Sequence, residues 1–321
     1  MNRSPIVWAT GLLLVLSTFM AWSRGAASAE QPVRKSGGAP GEALAAAFPG
    51  LASSGLTHAR LADLPKGVLL KAGELTVTES QLEEETAKAP AEVKGQLRKY
   101  AFFMLEQMAT QRLLLQAAKR YEAEEHAALP GKSDSEVIQA YVAKMLGQPE
   151  VTDGELMEFY DLNKGMLGEA PFGQVRDQIK PFVLRQKAQA AGLEFVRALG
   201  RRTVIEVSTS WLKEQAPREM DNAVDKTRRS GRPSLVDFGA TGCRPCDLMA
   251  PILEALRKKY AGRANVLFVH VREEPVLAAR YGIESIPVQV FFDRTGKEVF
   301  RHTGFFPQAD VEKQLAEMGV K

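Results

Sequence analysis

Cysteine is scarce: the 321 residues hold two, Cys243 and Cys246. No second disulfide can staple the chain elsewhere, so its domains rest on hydrophobic cores. Histidine is nearly as rare, with four in all. A structural zinc needs four ligands, and only histidines at no recognisable finger spacing are left to complete a set with the two cysteines. No excess of one charge exists either: 42 Lys and Arg against 39 Asp and Glu leave a net +3. No basic block alternates with aromatics, so a nucleic-acid partner has no support. What is present is ordinary globular composition, 45% hydrophobic and 25% charged. The length suffices for about two domains.

A single long apolar run, residues 6–22, follows Arg3 and precedes Ala27-Ser28-Ala29. A positive start, an apolar stretch and a small-x-small site read as a secretory signal over 1–29. The alternative is a retained membrane anchor, although the run is slightly short for a span of about 20 residues. Either way the remainder crosses a membrane, and a periplasmic or other extracytoplasmic location is expected. No cysteine follows the run, so lipid attachment at a processed cysteine is excluded. Residues 30–65, rich in Gly, Ala, Pro and Ser, are expected to be a flexible tether.

Residues 66–212 are expected to form a mainly helical domain. A short strand is expected at 68–70. Thr78-Glu79-Ser80-Gln81 and Thr152-Asp153-Gly154-Glu155 each place a hydroxyl three positions before Gln or Glu, the pattern of a capping box. Residues 96–120 lack Pro and Gly and set Leu97, Ala101, Met104, Leu105, Met108 and Leu115 along one helical face. Residues 134–146 and 175–199 are also helical in pattern, and 202–207 alternates as a strand does. His126 stands alone among acidic residues and alanines and reads as a solvated helix end. Phe102, Phe103, Met104 and Met108 suit either a core or a groove for unfolded clients. No convincing catalytic group occurs here.

Residues 213–220 read as a linker, and 221–321 as an α/β domain. A helix is expected at 221–229, then Ser234-Leu235-Val236-Asp237-Phe238 as an apolar strand. A helix over 243–260 would bury Leu248, Ile252, Leu253 and Leu256. A strand at 266–271, a helix at 274–281, a hairpin of 288–292 with 299–302 around Asp293-Arg294-Thr295-Gly296, and a last helix at 308–318 complete it. Strand, helix and strand with a long crossover imply a parallel pair. The closing hairpin makes the sheet mixed.

Both cysteines fall where strand becomes helix, in Cys243-Arg244-Pro245-Cys246. Unpaired N–H groups and the helix dipole favour an anion there, which lowers the pKa of the Cys243 thiol and makes it the nucleophile. Cys246, one turn on, is the more buried resolving cysteine. Pro245 in the first turn needs no donor. Arg244 adds positive charge beside the thiolate. Half a zinc site and a purely structural disulfide are the competing readings. The second closes too short a loop to stabilise much. A Cys-x-x-Cys beside a strand–helix unit points to redox chemistry, with the dithiol as its own redox group and no other cofactor or metal.

Over about 100 residues the C-terminal stretch resembles thioredoxin. The resemblance runs through Leu235-Val236-Asp237-Phe238, the cysteine motif, Pro251, Tyr281-Gly282-Ile283-Glu284-Ser285-Ile286-Pro287, Gly296 and Gly304. It implies a cis Ile286–Pro287 bond facing the sulfurs, with the backbone of Ile286 as an edge for substrate. It also implies that Asp237 is a buried acid relaying the proton of Cys246, its pKa raised by burial. Two departures stand out. Gly242 occupies the position where the family commonly has Trp, which alters the substrate rim. An apolar residue near Phe268 replaces a Lys often paired with the acid. His270 and His302 read as ordinary strand residues.

Residues 66–212 resemble SurA-like periplasmic chaperones. The resemblance rests on Gly73-Glu74-Leu75-Thr76-Val77-Thr78-Glu79-Ser80-Gln81-Leu82, Arg112-Leu113-Leu114-Leu115-Gln116-Ala117-Ala118-Lys119 and Val151-Thr152-Asp153-Gly154-Glu155-Leu156 with Tyr160. A parvulin isomerase domain that such proteins carry would fall at 163–170, where there is no room for it. The resemblance therefore implies client holding and not isomerase activity. The combined expectation is an exported thiol–disulfide oxidoreductase acting on protein thiols or disulfides. Unfolded clients and a membrane or periplasmic electron partner are implied. The alternatives are a holdase chaperone that uses the thioredoxin fold as a docking module, and a dedicated reductant of one partner.

Overall fold

A computed structural model describes residues 38–126, 128–165, 167–168 and 170–321. The signal expected at 1–29 lies outside them. The described chain starts with α1 (Leu44–Ala47), β1 (Arg60–Ala62), β2 (Val68–Ala72) and β3 (Leu75–Thr78). Six helices follow: α2 (Glu79–Lys88), α3 (Ala91–Lys99), α4 (Ala101–Glu125), α5 (Asp134–Leu146), α6 (Asp153–Asn163) and α7 (Phe172–Arg202). Then come β4 (Glu206–Ser208) and α8 (Thr209–Glu219). Four strands form a sheet in the order β1-β4-β2-β3.

Both expected capping boxes form, at Thr78 with Gln81 and at Thr152 with Glu155. A third, Ser133 with Glu136, starts α5. The hydroxyl and the returning side chain each satisfy an N–H that the helix cannot.

Three expectations are corrected. Residues 38–65 are not a free tether, because Leu44, Phe48, Leu51, Leu56 and Leu61 are buried in one core with Leu70, Val77, Phe102, Leu105 and Val207. Sparse leucines among small residues conceal this in the sequence. Residues 213–220 are not a linker, because α8 runs through them and buries Leu212, Ala216 and Glu219. The single helix expected over 96–120 is two, broken at Tyr100. There the Phe102 N–H donates to the buried Glu219 carboxylate at 2.8 Å. A carboxylate from α8 thus caps α4, a partner that local sequence cannot reveal.

The C-terminal elements are α9 (Ala223–Arg228), β5 (Ser234–Gly239), α10 (Arg244–Lys259), β6 (Asn265–His270), α11 (Pro275–Arg280), β7 (Val288–Phe292), β8 (Glu298–Thr303) and α12 (Gln308–Glu317). The sheet order is β6-β5-β7-β8, parallel between β5 and β6 and antiparallel elsewhere. The fold is a multi-domain one, a largely helical N-terminal region and a thioredoxin-like α/β domain with a mixed sheet. Leu235 and Phe291 face α10 and α12, in a core with Met249, Leu253 and Leu315. Val236, Phe238, Val288 and Val290 face the other way. Strand alternation sorts these residues onto two faces, and it puts Asp237 and Gln289 on the α10 side. The stripe that α10 buries is Cys246, Met249, Leu253 and Leu256, whereas Leu248 is exposed.

The second face is shared. Val93, Leu97, Tyr100 and Phe103 of α3 and α4 pack in one core with Val224, Val236, Phe238, Val276 and Leu277. The helical region therefore serves as the outer layer over half of the C-terminal sheet.

Candidate active site

The strand β5 ends at Gly239, and three residues lead to Cys243, the N-cap of α10. Gly242 takes φ +74°, a left-handed value that glycine adopts without strain. Thr241 is held by His270, whose Nε2 accepts its backbone N–H at 3.2 Å. The ring of His270 meets Phe268 edge-on. His270 is the strand residue its sequence suggests, the last of β6, and only the fold places it under the loop.

Cys243 and Cys246 are bonded to each other, with Cα atoms 5.2 Å apart. Cys243 is half-buried and Cys246 is 5% exposed. Pro245 lies in the first turn of α10, and Arg244 is exposed to solvent. The peptide Ile286–Pro287 is cis. The Ile286 carbonyl oxygen lies 4.0 Å from Cys243 Sγ. Pro287 is buried, and its carbonyl accepts the Gly304 N–H at 2.8 Å.

Behind the sulfurs lies Asp237, fully buried and aligned with Phe268 on β6 and Gln289 on β7. Gln289 Nε2 donates to Asp237 Oδ1 at 2.6 Å, and Oδ2 has no partner. Burial pushes the Asp237 carboxyl up to about 6, and the Gln289 hydrogen bond opposes part of that rise. Gln289 was missed in the sequence, where it reads as one polar residue in an apolar strand. His302 on β8 pairs with Gln289 in register. Burial lowers the His302 pKa to about 4, and its ring stacks on Phe306.

The helical region reaches the same rim. Asn163, the last residue of α6, sets its Oδ1 2.6 Å from where a Cβ on Gly304 would stand, and Gly165 approaches Phe305. A separate cavity of about 230 Å³, lined by Gly50, Phe103, Arg197, Arg228 and Phe292, lies at the other end of β7. None of its lining residues belongs to the cysteine loop or to the Ile286–Pro287 turn. Phe102, Phe103 and Met108 are buried in the cores, so they form no client groove, and Met104 packs against both cores.

A thioredoxin-like domain family matches residues 220–319. Thioredoxin of Staphylococcus saprophyticus is 40% identical over 99 residues, 30% of this chain and 93% of that protein. The chain belongs to the thioredoxin family through this domain. Thioredoxin of Staphylococcus aureus is 42% identical over 81 residues, 25% of this chain and 77% of that protein. The solved structure of chloroplastic thioredoxin z is 30% identical, spans 30% of this chain and 85% of its own, and superposes with a TM-score of 0.28. At the family level the chain is a thiol–disulfide oxidoreductase.

Proposed function

We propose that Cys243 and Cys246 exchange disulfides with protein substrates. Reduced Cys243 attacks one sulfur of a substrate disulfide, forming a mixed disulfide and releasing the other sulfur as a thiolate. Cys246 gives its proton to Asp237 and attacks Cys243 Sγ. The mixed bond breaks, the substrate leaves as a dithiol, and the cysteine pair carries away the two-electron oxidation. Oxidation of a substrate dithiol is the same path reversed. The redox group is the cysteine pair itself, with no further cofactor.

The observation that carries this reading is the placement of Cys243. It stands half-buried at a helix N-terminus. Its sulfur lies 4.0 Å from a peptide carbonyl that an extended substrate can line up beside. Arg244, Pro245, Gly242 and Ile286 then form the substrate rim. In the test, Cys246→Ser accumulates a mixed disulfide with a protein substrate and Cys243→Ser accumulates none. If Cys243 in the reduced protein reacts with iodoacetamide at the rate and pH midpoint of a cysteine in an unfolded peptide, the proposal fails. Equilibration with glutathione gives the direction, with a value near −120 mV for an oxidant and near −270 mV for a reductant.

The position of α6 favours a second element, client contact by the helical region. The end of α6 abuts Gly304 through the buried Asn163, and Met157 on α6 and Phe182 on α7 are exposed to a passing polypeptide. Deleting the region would strip the shared core, so surface substitution is the proper test. Met157→Ser with Phe182→Ser is expected to slow reaction with an unfolded protein disulfide and to spare a small disulfide. Equal effects on both substrates would leave the exchange reading without a client site.

Export is proposed from Arg3 and the run at 6–22. Among the described residues no helix is long and apolar enough to cross a membrane. A periplasmic protein beginning at Glu30 is the expected product, with an electron partner in the same compartment. Sequencing the mature N-terminus separates cleavage from anchoring.

A further inference from the structure

Asp237 and Gln289 are cross-strand neighbours with no exposed surface. Their one hydrogen bond, from Gln289 Nε2 to Asp237 Oδ1, occupies one oxygen of the carboxyl. Two acceptors stay buried and unpartnered, Asp237 Oδ2 and Gln289 Oε1. A Cβ placed on Gly239 would lie 3.5 Å from Asp237 Oδ2 and 3.4 Å from Cys246 Cβ. The open oxygen of the carboxyl therefore lies on the resolving-cysteine side. A buried acceptor that no protein group meets is costly unless a proton or another donor visits it.

The rest of the enclosure offers no competing charge. Across β5 on β6 stands Phe268, its ring edge 3.0 Å from the same Gly239 point. On α10 the facing titratable group is Cys246, while Asp247 is exposed. On β8, His302 stands opposite Gln289 and directs its Nε2 to the Phe305 carbonyl at 3.0 Å.

We propose that Gln289 is the positioning residue for proton transfer at Cys246: it grips Oδ1 from β7 and so turns Oδ2 to the resolving sulfur. This deepens the exchange reading and rests on it. The donor is a neutral amide from β7, and the residue facing Asp237 from β6 is the apolar Phe268. The amide orients the carboxyl without fixing it as an anion, so the group can both take the proton of Cys246 and return it.

The test uses Gln289→Leu and the near-isosteric Gln289→Met in the full chain. Carbon-13 NMR follows the Asp237 carboxyl in each reduced protein. Loss of the donor moves its titration midpoint upward by about one pH unit. The pH midpoint for release of glutathione trapped on Cys243 moves in the same direction, and Asp237→Asn abolishes that pH limb in every background. Should Gln289→Leu fail to fold, Gln289→Met carries the measurement. Midpoints unchanged from the parent in a folded variant would overturn the role of Gln289. A parent inert to glutathione disulfide would instead sink the exchange reading, and the carboxyl titration would still decide whether Gln289 governs Asp237.

Discussion

Asp237 is a carboxyl in an apolar enclosure with one hydrogen bond. Burial is the largest influence on it and favours the neutral form, which raises its pKa to about 6 from an ordinary 3.8. The sign of the consequence follows. A raised folded pKa means that folding favours the protonated acid. The contribution is complete below about pH 4 and is lost as pH rises through about 6. Ionising the group in place costs on the order of 3 kcal/mol by pH 8. Asp237→Asn is therefore expected to be more stable than the parent at pH 8 and to match it at pH 4, as read from urea midpoints. A difference of the same size at both pH values would show that the carboxyl is not desolvated. The same substitution is expected to slow resolution by Cys246, so stability and activity move in opposite directions at one residue.

At the level of elements, the rim is a junction of three pieces: the start of α10, the turn before β7, and the turn after β8. Two glycines permit it for different reasons. Gly242 has φ +74° and open space around a would-be Cβ, whereas Gly304 has φ +111° and faces Asn163 Oδ1 of α6 at 2.6 Å. Gly242→Ala meets only backbone strain, about 1 kcal/mol. Gly304→Ala adds a clash with α6 and a disturbed bond to the Pro287 carbonyl, about 3 kcal/mol. Denaturant titration checks the order, and equal losses would remove α6 from the rim. Asn163→Gly paired with Gly304→Ala is expected to recover the clash component and leave the φ component.

At the level of the molecule, the two regions are joined by buried charge as well as by apolar packing. Arg280, 4% exposed, pairs with Asp225 and donates to the Gly50 carbonyl at 2.9 Å. Its Nε lies 3.5 Å from Glu219 Oε1. Arg228 and the Tyr281 hydroxyl also reach Asp225. Burial outweighs the Arg280 charge at Glu219 and raises its pKa to about 7. Arg280→Met removes the cation between Asp225 and Glu219, leaving Arg228 alone at Asp225, and is expected to cost about 3–5 kcal/mol. Because Val93, Leu97, Tyr100 and Phe103 share a core with the C-terminal sheet, the intact chain is expected to unfold in a single calorimetric transition. Two separated transitions, with Arg280→Met shifting only one, would contradict a shared core.

Much of this was legible in the residues. An apolar run marked β5, and the turn Asp293-Arg294-Thr295-Gly296 between two apolar segments marked β7 and β8. The hydroxyl-x-x-acid or amide spacing marked the starts of α2 and α6, and the cysteine spacing marked a bonded pair at a strand–helix boundary. Those signals are local, because they arise from contacts within a few positions along the chain. The core role of residues 38–65 was not legible, nor was the break at Tyr100, the grip of Gln289 on Asp237 or the approach of α6 to Gly304. Each depends on groups dozens to more than a hundred positions apart. Sequence by itself determined where the cysteine pair falls and most helices and strands of 66–212 and 221–321, but not α1, β1 or α8. Only the tertiary structure decided what stands next to Asp237 and what covers the sheet, because burial and pairing are properties of the folded neighbourhood, not of the chain order.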